Sequence, residues 1–139
     1  MKDIKFEFIK MSNGYINFVL GSDIQKFEGA LNCNFDLLNN FIKWLEDLLF
    51  VNKEYKFEFE FQNEKFMFDI DRRNIFTILK DDSKEVIFEQ KTDRAKFVAE
   101  AYKSFFSIVK TSDFQGYIGS CNPENLKSDK IELFIEYNF

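Results

Sequence analysis

The chain has 139 residues, enough for one domain, and its 45% hydrophobic and 31% charged residues describe a globular, not a disordered, protein. It contains no histidine, which excludes Ser-His-Asp and Cys-His catalysis, His-ligated zinc and histidine pH switching. Lys plus Arg is 19 against 24 Asp plus Glu, a net charge of −5 that argues against binding a nucleic-acid backbone.

Ile4, Phe6 and Phe8 alternate with Lys5 and Glu7, the period-2 pattern of a half-buried strand. Ser12-Asn13-Gly14 is a hairpin signal because Asn-Gly tolerates positive φ. Ile16, Phe18 and Leu20 then alternate as a second strand. Residues 21–33 have weak periodicity between Gly21 and Gly29 and read as a loop or irregular crossover with room for a short strand. From Asn34 the period changes. Leu37, Leu38, Phe41, Ile42, Leu45, Leu48 and Leu49 form one wide apolar helical face, Asn34 is a good N-cap, and Asp36 complements the helix dipole. Trp44 lies at the border of that stripe, as a partly buried core residue or an interface anchor.

Tyr55, Phe57, Phe59 and Phe61 face one way, with Lys56, Glu58, Glu60 and Gln62 opposite. Phe66, Phe68 and Ile70 follow, opposed by Lys65, Met67, Asp69 and Asp71. A two-residue loop at Asn63-Glu64 pairs Gln62 with Lys65, Phe61 with Phe66, Phe59 with Phe68 and Phe57 with Ile70, so that all the aromatics share one face. Residues 71–74 form a turn into a strand over 75–79 that is apolar on both sides, which suits a central position. Residues 81–83 are a third turn and 86–90 a further strand. Thr92 or Asp93 caps a second helix carrying Phe97, Val98, Ala101, Tyr102, Phe105, Ile108 and Val109. Residues 113–128, with Gly116, Gly119 and the only proline, read as a long loop. Ile131, Leu133, Ile135, Tyr137 and Phe139 alternate as a terminal strand. The expectation is an α+β fold in a single domain, residues 1–139: one mainly antiparallel sheet of about six to seven strands with two amphipathic helices packed on it.

No apolar run approaches the ~18–20 residues of a membrane span, and the charged, alternating N-terminus resembles no leader peptide, so a cytoplasmic protein without membrane contact is expected. Cys33 and Cys121 have no metal-like spacing and read as reduced thiols. With no GxGxxG or GxxxxGK[ST], nucleotide binding by those loops is not expected, and no cofactor or metal is called for. The fragment 116–121 is a flexible loop or, less simply, an anion contact.

Carboxylates are the only abundant reactive groups. The register above sets Glu58 opposite Asp69 with Glu60 beside it, and Lys56 opposite Asp71, on the face away from the phenylalanines. Three readings compete: a solvated outer face, an acidic patch for a basic partner, and a carboxylate pair for glycosidase chemistry or a divalent cation. On the terminal strand, Glu132 and Glu136 share a face with Phe134, either a binding anchor among acids or a ring covered by the 113–128 loop. No residue is assigned a catalytic role; Glu58, Glu60, Asp69, Glu132, Phe134 and Glu136 are the candidate partner-binding residues.

In its size, its acidity and its order of elements, with Trp44-Leu45-Glu46 in the first helix followed by the hairpin over 56–71, the chain resembles the immunity proteins of bacterial toxin–immunity systems, including those of contact-dependent inhibition. The likeness is architectural, without a shared signature. It implies a non-catalytic inhibitor that neutralises a cognate toxin domain, a basic protein, in a tight complex. The alternatives are a self-associating structural or accessory domain, as a homodimer, and a domain that binds a small apolar ligand among its phenylalanines.

Overall fold

Asn13 (φ 53°) and Gly14 (φ 82°) close the first hairpin, between β1 (Lys5–Ser12) and β2 (Tyr15–Gly21). In the computed structural model, which describes residues 4–51, 55–80, 83–111, 114 and 123–139, β2 also pairs with β3 (Lys26–Asn32) to make a three-stranded antiparallel sheet. The stretch expected to be a loop is therefore a full strand. Gly29 hid it, because an inward glycine removes one member of the Phe27-x-Gly29-x-Leu31 alternation. Phe18 stands opposite Gly29. A Cβ built there would lie 2.8 Å from Cζ of the Phe18 ring, so the ring fills the space that a side chain would occupy.

Asn34 caps α1 (Phe35–Glu46), its Oδ1 accepting from the N–H groups of Asp36 at 2.9 Å and Leu37 at 3.3 Å. The helix buries Leu38, Phe41, Ile42, Trp44 and Leu45 and ends in a π-helical turn, Asp47–Val51. Trp44 belongs to the core and not to an interface.

A second, four-stranded antiparallel sheet follows, made of β4 (Phe57–Phe61), β5 (Glu64–Ile70), β6 (Ile75–Lys80) and β7 (Glu85–Lys91) in that order, so β6 is an interior strand. Its first turn is Gln62-Asn63, both at positive φ, not Asn63-Glu64. Phe57 therefore pairs with Phe68 and Phe59 with Phe66, two residues from the expected register. A shift of two preserves which face each side chain takes, so Phe57, Phe59, Phe66 and Phe68 still share the core face, whereas Tyr55, ahead of β4, is exposed. The directly opposed pairs change: Glu58 faces Met67, not Asp69, and the Lys56–Asp71 pairing is absent from the ladder. At the next turn the Asp71 carboxylate accepts from Arg73 N at 2.8 Å and Ile75 N at 3.1 Å, an Asx turn that starts β6.

Asp93 caps α2 (Arg94–Val109) through Lys96 N. A 3₁₀ turn, Pro123–Leu126, leads to α3 (Asp129–Asn138), capped by Ser128 Oγ accepting from Ile131 N at 3.1 Å. The expected terminal strand is thus a helix. Ile131, Phe134 and Ile135 lie at i, i+3 and i+4, which competes with the alternation, and the Ser128 cap favours the helical option. Gly116, Gly119 and Cys121 lie outside the described residues.

Among the described residues the architecture is α+β, with two antiparallel sheets of three and four strands and the helices α1, α2 and α3, where one sheet and two helices were expected. The sheets lie face to face. Gln25, before β3, donates from Nε2 to Glu89 O on β7 at 2.6 Å and accepts from Glu89 N at 3.0 Å. At the other end of β3, Asn32 shares a groove with Glu58 and Glu60 of β4. β3 therefore spans the four-stranded sheet from one edge to the other, and cannot extend it as a neighbour. Between the sheets the Phe68 ring centroid lies within 6.5 Å of the rings of Phe6, Phe18, Phe27, Trp44, Phe57, Phe59 and Phe76. α2 covers the free edge of β1, where Ser104 Oγ accepts from Phe8 N at 2.6 Å. Among the described residues, no helix is long and apolar enough to cross a membrane.

Candidate protein-binding surface

The inner face of the four-stranded sheet is closed by α1, α2 and the smaller sheet. On its outer face the register builds cross-strand rows: Glu58–Met67–Leu79–Val86, then Asp69–Thr77–Glu89, with Glu60–Lys65 on the other flank. Met67 is buried, Leu79 is half-buried, and Val86 is 50% exposed. An apolar row thus crosses the sheet between carboxylates. Glu58, Glu60 and Asp69 all stand on this face, as expected from their alternation. Asp69 is diagonal to Glu58, so the directly opposed pair on which the glycosidase or cation reading rests does not form. Among the described residues no group of three or more His, Cys, Asp or Glu side chains is arranged to hold a metal ion.

Beside this face, β4 and α1 border an open groove. One stretch, of about 450 Å³, runs from Tyr15, Asn32 and Asn34 past Asn40 to Glu58, Glu60 and Lys65. A second, of about 360 Å³, continues along Lys43, Tyr55 and Lys56 and shares Asn40 and Glu58 with the first. The groove is polar and carries both signs of charge, with the glutamates towards one end and Lys43 and Lys56 towards the other.

Of the three candidates of the C-terminal segment only Phe134 separates, because residues two apart share a face in a strand but lie about 200° apart in a helix. Glu132 and Glu136, four apart, stay on one side of the helix and line the same groove. Glu132 secures the helix. Its Oε2 accepts from Tyr102 OH at 2.6 Å, while Oε1 lies 3.8 Å from Lys127 Nζ. Tyr102 OH also accepts from Ser128 N at 3.0 Å, and Ser128 Oγ donates to Glu46 Oε2 at 2.6 Å, joining α1, α2 and α3. Burial, and then the bond to the Glu132 carboxylate, push the Tyr102 hydroxyl well above its ordinary pKa. Glu136 is exposed and borders a groove of about 580 Å³ between α2 and α3 together with Lys103 and Lys110. Phe134 points elsewhere: half-buried, it lies 6.1 Å from the Phe50 ring and 6.3 Å from that of Phe139.

Sequence reasoning missed the Met67–Leu79–Val86 row and the Tyr102 junction. The row depends on which strands pair, and Tyr102 was indistinguishable from other core positions at helical spacing. The Cys33 thiol is half-buried, and burial pushes its pKa up to about 11, away from nucleophilic use. Comparison of the chain with protein-family models, with curated proteins and with solved structures finds no match in any of the three.

Proposed function

We propose that this chain is a non-catalytic protein-binding domain that captures a basic partner, and that the partner is a bacterial toxin domain neutralised in the manner of an immunity protein. The observation that carries this reading is the outer face of the four-stranded sheet, where an apolar row is framed by Glu58, Glu60, Asp69 and Glu89. An apolar centre with a charged rim is the anatomy of a protein interface, and carboxylates on the rim speed encounter with a basic surface. What supports the partner class is the resemblance of the sequence to immunity proteins in size, acidity and the succession of α1 and the β4–β5 hairpin, the part of the expected element order that the structure keeps.

The test begins with the tagged chain in lysate of its own host, washed at low and high salt. The captured protein is then assayed for its own activity with and without the chain. Reversing charge at Glu58, Glu60 and Asp69 is expected to slow association by at least about tenfold at low salt. Unchanged association would remove this face from the reading, and a partner whose activity is unaffected would remove inhibition.

A second reading, self-association, is favoured by the apolar surface around the π-helical turn and α3. Phe50 (45% exposed) and Phe139 (60%) flank Phe134, and Val51, Leu133 and Tyr137 are also exposed. A mass that doubles with concentration in sedimentation, and that Phe50→Ser with Phe139→Ser returns to monomer, would establish it.

A further inference from the structure

We infer that the free edge of β4 is a docking rail for an extended segment of another protein, bearing Lys or Arg at the two alternate positions that face Glu58 and Glu60. This rests on the protein-binding reading and names how the partner engages.

The edge follows from the turn. A two-residue hairpin is closed by a hydrogen-bonded pair, here Phe61 and Glu64, and the ladder then alternates. Phe59–Phe66 and Phe57–Phe68 are the other exchanging pairs. The peptide N–H and C=O of Glu58 and Glu60 therefore point away from β5. Two other strand edges are treated differently. On β1, Ser104 Oγ takes the Phe8 N–H, and on β7 the Gln25 amide takes both the N–H and the C=O of Glu89. Among the described residues no group bonds the outward peptide groups of Glu58 and Glu60, and these open onto the groove beside α1. An unprotected edge invites a strand.

Charge selects the occupant. A strand added to β4 sets its outer-face side chains directly opposite Glu58 and Glu60, and opposite Lys56 two residues further on. Opposite charges at such positions stabilise pairing and like charges oppose it. An antiparallel segment thus reads basic, any, basic, any, acidic. A second copy of this chain is a poor fit, because registers centred on Glu58, Phe59 or Glu60 all set glutamate against glutamate.

The probe is the blocked peptide Thr-Lys-Val-Lys-Val-Glu-Thr, added to the full chain while amide exchange is followed by NMR. The amides of Glu58 and Glu60 are expected to exchange at least about tenfold more slowly at saturation, while that of Phe59, already paired, is unchanged. The chain carrying E58K and E60K, which keeps Lys56, is expected to prefer Thr-Glu-Val-Glu-Val-Glu-Thr instead. Binding without protection of those two amides, equal binding of both peptides, or no protection at about 1 mM peptide would overturn the proposal. Protection that rises with protein concentration alone, alongside a doubled mass, would overturn it in favour of a second copy. The failures are separable. If charge reversal slows capture of the cognate partner but the two amides exchange freely in that complex, the edge is refuted and the face stands. If the peptide protects the amides but no captured protein is inhibited, the edge stands and the immunity reading falls.

Discussion

Phe68 lies among rings from both sheets and α1, whereas α3 is seated by a chain of directional bonds running from Glu46 through Ser128 and Tyr102 to Glu132. The ring cluster is buried throughout, the α3 seat only at Tyr102 and Ser128, with Glu46 and Glu132 half-buried, and both join elements far apart in sequence. They differ in how damage spreads. Apolar contacts in the core are many and individually weak, so loss of one ring lowers the stability of everything that the core joins. The α3 seat depends on a few polar groups in series, and loss of one leaves its partners unsatisfied at a single junction.

The contrast is broken if the two regions respond alike. Phe68→Ala is expected to have the largest effect, about 3–5 kcal/mol in denaturant unfolding, with both sheets and all helices melting together. Gly29→Val follows, at about 1–3 kcal/mol, because its side chain would collide with the Phe18 ring, and the loss again should be global. Tyr102→Phe, about 1–2 kcal/mol, is expected to act locally: amide exchange across α3 should rise while that in β5 and β6 holds. A uniform rise would show that the seat and the core are one cooperative unit.

The same tyrosine gives a pH signature. Its folded pKa is raised, so the folded state keeps the proton after an unfolded tyrosine, with pKa about 10, has lost it. The stabilisation is complete below that value and is lost as pH rises from there towards the folded pKa. Chains with Tyr102→Phe should lose less stability between neutral and strongly alkaline pH. The smallest effect concerns Cys33, which is packed against the core at the junction of β3 and α1. At pH 8 its alkylation is expected to be about 100-fold slower than that of a peptide cysteine. Phe68→Ala should accelerate it and Tyr102→Phe should not.

How legible these features were in the sequence depended on the range of the physics involved. The faces of β1, β2, β4 and β5 follow from local alternation, and the Asn34 and Asp93 caps from local hydrogen bonding. The register of β4 on β5 was off by two because Gln62, an unremarkable turn residue, takes positive φ, and the hydrophobic pattern cannot detect an even shift. At residues 131–139 two periods fit the same apolar residues, and only Ser128 distinguished them. The division into two sheets had no local signal. It arises from β3 lying across the larger sheet, a contact between residues as distant as Gln25 and Glu89. The candidate site inherited these errors in part: Glu58, Glu60 and Asp69 kept their face, and Glu132 and Glu136 still share one side of α3, while Phe134 parted from them.

The nesting of Phe18 over Gly29 also limits how this sequence can drift. Two positions on neighbouring strands share the volume of one large side chain, so neither can be inherited alone. A lineage that gains a methyl group at 29 must shrink the residue at 18, and one that loses the ring at 18 can then admit bulk at 29. Among descendants of this chain those two positions should change as a pair, whatever partner the surface has learned to hold.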